Sequence, residues 1–237
     1  PSGGTKPVIA IDVAGLQTSH AEQSVVILPD LIDRIVVSTG GGQALPAGTT
    51  SSAFFLETRD YYGNVSPLRA GDENLGVFQL TSNSGGQVLF STPTTGNFKS
   101  APGMAYLAVN QAATSFYLID TMLAFGSSSH TLTVSALTNP SWASGQASYT
   151  VIPGPPVAIK WGTPARRLIA GTTVQFSGGT PVDTVVEAQL VDQYGNPTFS
   201  ASTYTIRYTS VGNDTFAGID PNTVIVATSP SGFWRDI

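Results

Sequence analysis

The sequence predicts an all-β protein built from tandem antiparallel β-sandwich domains, joined by short linkers that contain proline. Three observations lead to this prediction. The chain holds 25 glycines and 16 prolines among 237 residues, a composition typical of short strands with many turns. Apolar and polar residues alternate with a period of two along several segments. The chain also repeats itself at a spacing of about 124 residues.

The composition excludes several classes of protein. Apolar residues make up 41% of the chain and charged residues 11%, so the chain lacks the low hydrophobicity of a disordered polymer. Its net charge of −5 gives no basic surface for a nucleic acid. The most apolar stretch, residues 104–125, is interrupted by Asn110, Gln111 and Asp120, so we expect no membrane insertion in this segment. Because cysteine is absent, each domain must be held by its core, without disulfides or thiolate metal sites.

Period-two alternation predicts half-buried antiparallel strands. The apolar faces are formed by Leu132 and Val134, by Val186, Ala188 and Leu190, and by Tyr204, Ile206 and Tyr208. Polar residues alternate with most of these positions, as expected where one face of a sheet meets solvent. Clusters of glycine, serine and threonine at 39–42, 83–86 and 177–181 indicate the turns between strands.

The repeat is carried by matching segments along the chain. A Val-Ile-Leu-Pro run ends at Pro29, and a Val-Ile-Pro run ends at Pro153. An Ala-Gly-Thr-Thr segment begins at Ala47 and again at Ala170, and an Asp-x-Tyr-Gly-Asn segment begins at Asp60 and again at Asp192. The offset drifts only where glycine and proline are dense, which is the pattern that loop-length variation produces between tandem copies.

The phase of the repeat predicts three domain segments. Residues 1–32 match the C-terminal part of a preceding repeat, residues 33–153 form a complete repeat, and residues 157–237 form a further, incomplete one. Residues 229–232 resemble residues 100–103, so the last copy ends before any counterpart of the strands at 115–120 and 132–134. A sandwich without those strands would expose an unpaired edge. We expect either a longer repetitive chain or strands donated by a neighbouring subunit; a final strand at 222–226 would instead close a shorter copy.

Four motifs together resemble the bacterial immunoglobulin-like repeats of invasin- and intimin-type cell-surface proteins. They are Ala47-Gly48-Thr49-Thr50, Asp60-Tyr61-Tyr62-Gly63-Asn64, Phe116-Tyr117-Leu118-Ile119-Asp120 and Leu132-Thr133-Val134, with second copies at Ala170-Gly171-Thr172-Thr173 and Asp192-Gln193-Tyr194-Gly195-Asn196. The resemblance implies tandem Ig-like β-sandwiches in an extracellular, non-catalytic, load-bearing or adhesive protein. The complete copy is longer than the roughly 100 residues of an Ig sandwich, and we expect the surplus at 66–74 and 93–102.

The Asp-x-Tyr-Gly-Asn segment predicts a structural turn. Glycine and asparagine tolerate positive φ, so Gly63-Asn64 and Gly195-Asn196 suit a tight turn. The preceding aspartate can accept hydrogen bonds from the turn amides, and the tyrosine can pack across the end of a sandwich. We assign the Ala47-Gly48 and Ala170-Gly171 turns a structural role as well.

The sequence gives weaker support for a calcium site or a catalytic site than for a structural role. Asp30, Asp33 and the Asp72-Glu73 pair could supply oxygen ligands to calcium at the first linker, but the second linker, residues 154–157, has no acid. The histidines, His20 and His130, lie in no catalytic motif. We therefore predict no enzyme, cofactor or metal.

Exposed aromatic rings would favour an adhesin or a carbohydrate-binding accessory module. We expect Tyr61, Phe98, Trp142 and Trp234 to be exposed because they lie near turns, and Tyr204 and Tyr208 to be in the core. The main prediction is a structural segment of a stalk, surface layer or fibre at the cell surface. Its partners would be adjacent repeats or other copies of the protein, with surface glycans as the alternative partner.

Overall fold

The computed structural model describes residues 4–10, 21–39, 43–93, 96–124, 129–161, 176–177, 180–181, 186–198, 204–206, 224–226 and 233–236. The chain divides into two compact units. The first unit comprises Pro1–Leu45, Thr49–Asp120 and Ala124–Val151, and the second comprises Pro46–Gly48, Thr121–Leu123 and Ile152–Ile237. Within the described ranges, no helix is long and apolar enough to cross a membrane.

The first unit is an antiparallel β-sandwich. One five-stranded sheet has the order β3 (Ile32–Thr39), β5 (Phe54–Asp60), β10 (Ala113–Asp120), β7 (Val88–Ser91) and β8 (Lys99–Ser100). The other has the order β4 (Gln43–Pro46), β12 (Gly145–Ile152), β11 (His130–Ala136), β6 (Val77–Ser82) and β9 (Gly103–Tyr106). A short 3-10 helix, Glu73–Leu75, precedes β6. The predicted all-β class is confirmed, and for this unit so is the predicted antiparallel sandwich.

The core lies between the two sheets, where alternate residues of the central strands point inward. The fully buried side chains are Phe54 and Leu56 of β5, Phe116 and Leu118 of β10, Phe78 and Leu80 of β6, and Leu132 and Val134 of β11. The rings of Phe54 and Phe116 stack at 5.5 Å within one sheet, and Phe54 meets Tyr149 of the opposite sheet edge-on. This confirms the alternation predicted for Leu132 and Val134.

Two inward-facing rows end in a buried carboxylate. On β5 the buried series continues from Phe54 to Asp60, and on β10 it continues from Phe116 to Asp120. Because β5 and β10 are antiparallel, with Phe116 opposite Phe54, their C-terminal ends lie at opposite ends of the sheet. The sandwich therefore has an aspartate at each end of its core.

A hairpin precedes the sandwich and repeats part of its pairing. Strand β1 (Gly4–Ala10) pairs with β2 (Ala21–Ile27), with Lys6 opposite Val25. In the hairpin of β11 (His130–Ala136) and β12 (Gly145–Ile152), His130 lies opposite Tyr149. These two residues lie 124 positions after Lys6 and Val25 respectively. The sequence repeat between 1–32 and the end of the complete copy is thus also a repeat of strand register.

The second unit begins with the same register as the first sandwich. Strand β13 (Ala158–Trp161) pairs with β16 (Val186–Val191), with Ile159 opposite Leu190. The corresponding pair in β3 and β5 is Ile35 and Thr58, displaced by the offsets 124 and 132 that the sequence shows. The described remainder of this unit comprises β14 (Phe176–Ser177) paired with β15 (Thr180–Pro181), and β17 (Tyr204–Ile206) paired with β18 (Val224–Val226).

The last strand differs from the expected alignment. Strand β19 (Phe233–Asp236) pairs with β16 on the side away from β13, as β10 pairs with β5 on the side away from β3. Residues 233–236 thus occupy the place that β10 has in the first sandwich. The similarity of 229–232 to 100–103 had predicted that a counterpart of β10 would lie beyond residue 237. Strand pairing, which depends on a long-range neighbour, overrode a four-residue local similarity.

Candidate functional site

The Asp60 carboxylate fastens the linker that leads into the first sandwich. Its Oδ2 accepts a hydrogen bond of 3.0 Å from the backbone N–H of Asp30, the residue after Pro29. Its Oδ1 accepts one of 2.8 Å from the backbone N–H of Asn64, and the Asn64 side-chain amide donates to Oδ2 at 2.9 Å. The carboxylate is 1% exposed. One buried side chain therefore joins the turn to the linker.

The turn is shaped by its glycine and closed by backbone bonds. Gly63 has a φ of +85°, a backbone conformation that residues with a Cβ rarely adopt. The Asp60 N–H donates to the Asn64 carbonyl at 2.9 Å, and the Gly63 N–H donates to the Asp60 carbonyl at 3.0 Å. This loop returns the chain beside the end of β5, where the Asp60 side chain faces the core.

Ser66 binds the other backbone group of the same linker residue. Its hydroxyl donates to the Asp30 carbonyl at 2.6 Å, and Ser66 is fully buried. The guanidinium of Arg69 donates to the Pro29 carbonyl at 3.0 Å. Both backbone groups of Asp30 and the preceding carbonyl are thus held by residues of the sandwich.

The second turn makes the same arrangement in the second unit. Asp192 Oδ2 accepts a hydrogen bond of 3.0 Å from the N–H of Gly154, the residue after Pro153. Its Oδ1 accepts from the N–H groups of Tyr194 and Asn196, both at 2.9 Å. The Asn196 amide donates to Asp192 Oδ2 at 2.9 Å, and the Thr198 hydroxyl donates to the Gly154 carbonyl at 2.7 Å. We call each arrangement a linker clamp: Asp60, Asn64 and Ser66 with Asp30 in the first, and Asp192, Asn196 and Thr198 with Gly154 in the second.

The clamp hydrogen bonds lower the pKa of both aspartates. Burial alone would raise the pKa of the Asp60 carboxyl, but the Asn64 side chain and the N–H groups of Asp30, Asn64 and Tyr62 outweigh it and bring the pKa to about 2. Burial alone would also raise the pKa of the Asp192 carboxyl. Hydrogen bonds from the Asn196 side chain and from three backbone N–H groups outweigh burial and lower this pKa. Both groups are therefore carboxylates at neutral pH, which strengthens the hydrogen bonds they accept.

The second clamp extends to the two short segments that belong to the second unit. Asn196 Oδ1 accepts a hydrogen bond of 3.1 Å from the Leu123 N–H, and its amide donates to the Thr121 carbonyl at 2.7 Å. Gly48 has a φ of +74°, and a Cβ built on it would lie 1.8 Å from the Tyr194 hydroxyl. The backbone conformation at position 48 therefore favours glycine, and any larger residue there would displace the end of the Tyr194 side chain.

A second polar cluster surrounds Asp120 at the opposite end of the sandwich. The Tyr149 hydroxyl donates to Asp120 Oδ2 at 2.7 Å and lies 2.6 Å from Ser82 Oγ, while the Ser84 hydroxyl donates to Asp120 Oδ1 at 3.0 Å. His130 Nε2 lies 3.8 Å from Asp120 Oδ2. Burial, together with the neighbouring Asp120, raises the pKa of Tyr149, so its hydroxyl stays protonated. Asp120, Tyr149 and His130 are buried and the two serines are half-buried, so the cluster joins strands across the core.

The structure tests the predicted turn residues individually. The prediction that Asp60 and Asp192 accept hydrogen bonds from turn amides is confirmed, as is the positive φ of Gly63 and Gly195. Gly48, for which no φ was predicted, also has a positive φ. The positive φ expected of Asn64 and Asn196 is wrong: in the described ranges Asn110 is the non-glycine residue with positive φ. The asparagines instead contribute side-chain amides, which need no special backbone. Ala170 and Gly171 lie outside the described residues.

The sequence pattern does not indicate that the linker is the partner of the turn. It presents Asp30 as a candidate calcium ligand, whereas the clamp binds the Asp30 backbone. Only the repetition of proline at 29 and 153 before the repeated turns could have indicated this. Tyr149, Ser82 and Ser84 were also missed, although an aspartate ending the apolar series at 116–120 was visible.

Of the aromatic residues predicted to be exposed, some are exposed and others are buried. Tyr61 is 70% exposed, as predicted, and its ring meets the ring of Tyr62 edge-on at 5.4 Å. Trp142 was predicted to be exposed and is 8% exposed, because it stacks on Phe78 in the core. Phe98 is half-buried. The side chains of Trp234, Tyr204 and Tyr208 lie outside the described residues.

The candidate calcium ligands do not come together among the described side chains. No group of three or more histidine or acidic residues that could hold a metal occurs there. Asp30 Oδ1 accepts a hydrogen bond from the neighbouring Leu31 N–H, and Asp33 lies 3.5 Å from Arg34. The side chain of Glu73 and residue His20 lie outside the described part of the chain.

Comparison with known proteins shows distant likenesses in structure. No family model matches the chain, and no curated protein matches it. A β-glycosidase from Bacteroides vulgatus is 11% identical over 63% of this chain, with a TM-score of 0.38, and α-2-macroglobulin from Salmonella reacted with methylamine is 11% identical over 99%, with a TM-score of 0.33. Bovine butyrophilin is 10% identical over 83%, with a TM-score of 0.25.

The chain is much shorter than two of these proteins. It spans 17% of the length of the glycosidase and of the macroglobulin, and 88% of that of butyrophilin. TM-scores below 0.5 do not support the transfer of an activity. The assignment of the fold rests on the strand pairing described above.

Proposed function

We propose that this chain is a non-catalytic structural segment of an extracellular repeat protein, such as a stalk, surface layer or fibre. In this role the linker clamps would fix each linker to the domain that follows it. The observation that supports the proposal most is the recurrence of the clamp: two sequence-distant turns hold the residue after a linker proline by both its N–H and its carbonyl. A binding loop would not need this second bond to the linker backbone.

The chemistry of the clamp suits a joint that must resist flexing. Each clamp buries a carboxylate whose acceptor positions are filled by backbone and amide N–H groups, so moving the linker would leave a buried charge short of partners. The prolines at 29 and 153 restrict the backbone immediately before each clamped residue. A load-bearing role follows from multiplicity, since each further repeat adds another linker fixed in the same way.

Hydrogen exchange tests the clamp in the intact chain. We expect the amides of Asp30 and Gly154 to be protected, and Asp60→Ala and Asp192→Ala each to abolish protection at its own linker only. Asp33→Ala is the control, because this carboxylate is substantially exposed and lies beside Arg34, whose guanidinium binds the Asp60 carbonyl by a bond that does not involve Asp33. Rapid exchange at both linkers in the unmodified chain would contradict the proposal.

The location and mechanical role require separate measurements. Labelling of intact source cells with an antibody to this chain should reveal it at the surface. Stretching single molecules by their ends should give a lower unfolding force for Asp60→Ala than for Asp33→Ala. Equal forces for the two variants would remove the mechanical role while leaving the fold intact.

A further inference from the structure

A cleft in the first unit is used neither by the core nor by the linker clamp. Its volume is about 300 Å³, and its lining includes the apolar residues Leu31, Leu75 and Trp142 and the polar residues Arg69, Asp72 and Asn139. We call it the Arg69–Asp72 cleft. Its volume is at the lower end of the range for sites that bind small molecules.

The walls of the cleft are held in place by hydrogen bonds. The Leu75 N–H donates to the Asp72 carbonyl at 2.8 Å, which fixes the 3-10 turn. The Thr138 hydroxyl donates to the Asn74 carbonyl at 2.7 Å and joins this turn to the loop that carries Asn139 and Trp142. The linker wall is tied down by the bond from Arg69 to Pro29. The cleft is therefore formed before any ligand arrives, which lowers the entropic cost of binding.

The polar groups of the cleft are available to a ligand. Within the described residues, no hydrogen bond is donated to the half-buried Asp72 carboxylate. Asn139 Oδ1 accepts from the Ser141 hydroxyl at 2.5 Å, which leaves the Asn139 amide N–H groups directed elsewhere. Arg69 uses one guanidinium nitrogen for Pro29 and retains others. The cleft thus combines an anionic acceptor with amide and guanidinium donors.

The charges of the lining balance. Arg69 and Asp72 are the charged residues among those that line the cleft, so it does not favour a net anion or cation. A ligand that satisfies neighbouring acceptors and donors while remaining neutral is one with several hydroxyl groups, each of which both donates and accepts. Leu31, Leu75 and the rim of Trp142 would contact the apolar C–H face of such a ligand.

We propose that the Arg69–Asp72 cleft binds a neutral saccharide. The exposed pair of Tyr61 and Tyr62 is a poorer site, because the rings are perpendicular and provide no common platform for a sugar. Binding in the cleft goes beyond the structural role proposed above, and it would let a load-bearing repeat attach to a glycan surface without an additional domain.

The test is a panel of immobilised neutral oligosaccharides, probed with the full chain, followed by calorimetric titration of those retained. We expect weak, millimolar affinity for at least one saccharide and a loss of about tenfold or more in Asp72→Ala and in Arg69→Met, since each removes a charge-assisted hydrogen bond. Asp72→Ala should not change thermal stability greatly, because backbone hydrogen bonds hold its loop. Arg69→Met also removes the hydrogen bond to the Pro29 carbonyl, so its thermal stability is measured beside its affinity, and Asp72→Ala is the decisive variant. Asp33→Ala should bind like the unmodified chain.

Three outcomes of the saccharide experiments would overturn the proposal. They are the absence of binding across the panel, binding that survives both cleft substitutions, and binding that is lost in Tyr61→Ala but kept in the cleft variants. Titration with free amino acids is the remaining arm, since a zwitterion could pair with Arg69 and Asp72. Binding of amino acids in place of saccharides would also refute the assignment. None of these results bears on the linker clamp, so the two proposals fail independently.

Discussion

Asp60 accepts a hydrogen bond from the backbone N–H of Asp30 at 3.0 Å, although thirty residues of chain separate them. Asp192 and Gly154 form the same bond in the second unit. A short turn motif that would be interpreted as a local cap is thus a long-range connection. Its consequences can be measured through acid sensitivity, packing and backbone strain.

Acid should release the first clamp. Because the folded pKa of Asp60 is about 2, below the value of about 3.9 for an unfolded aspartate, its charge contributes stability that is complete above about pH 4 and is lost as pH falls towards 2. We expect the stability difference between the unmodified chain and Asp60→Asn to shrink across this window. Urea unfolding at several pH values measures it. A constant difference from pH 6 to pH 2 would exclude the ionised carboxylate as the cause.

Removing the Tyr149 hydroxyl should destabilise the first sandwich. Tyr149→Phe keeps the ring beside Phe54 but deprives Asp120 and Ser82 of a buried partner, at a cost of about 1–3 kcal/mol. Chemical denaturation gives this value directly. Tyr106→Phe is the control, since that side chain is largely exposed and should change stability by less than about 0.5 kcal/mol.

Gly48 and Gly63 should differ in their tolerance of alanine. Both have positive φ, which costs an alanine about 1–2 kcal/mol. A Cβ at Gly63 meets nothing within 4 Å, whereas a Cβ at Gly48 overlaps the Tyr194 ring. We expect Gly48→Ala to be the more destabilising, and Tyr194→Ala to relieve part of its cost in a double-mutant cycle of thermal unfolding. Equal effects at the two glycines would argue against the close packing of Tyr194.

Truncation should lower the stability of the chain strongly at Trp142 and very little at Tyr61. Trp142→Ala leaves a cavity beside Phe78 and should cost about 3–5 kcal/mol. Tyr61→Ala removes an exposed ring and should change stability by less than about 0.5 kcal/mol. Thermal melts of the two variants provide the comparison. A strong effect of Tyr61→Ala would indicate a partner for that ring in the folded chain.

The sequence predicted those features that depend on local pattern. Alternation identified the inward positions Leu132 and Val134, and the glycines of both turns were assigned their conformation from chemistry alone. The offsets of 124 and 132 found in the sequence also separate the paired residues Ile35 and Thr58 from Ile159 and Leu190, because insertions fall outside these strands.

Features that depend on distant neighbours were not predicted. Trp142 lies beside a turn, yet the opposite strand supplies Phe78 to cover it, and no local pattern carries that information. The clamp is missed for the same reason: the chain gives no sign that Asp60 and residue 30 meet. The pairing of β19 with β16 is likewise not indicated by any local match, because the two strands lie far apart along the chain.

The position of the first clamp determines how a pulling force enters the sandwich. Strand β3 is the edge of its sheet, and its pairing with β5 begins with Ile32 opposite Asp60. A force on the preceding linker would otherwise peel β3 away one hydrogen bond at a time, the weakest geometry for a sheet. Asp60 and Ser66 bind the backbone of Asp30, two residues before that first pair. The first hydrogen bonds between β3 and β5 would therefore break only after the bonds to Asp30 had broken. Under such a force, the Asp60 side chain would therefore bear load before the pairing of β3 with β5 does.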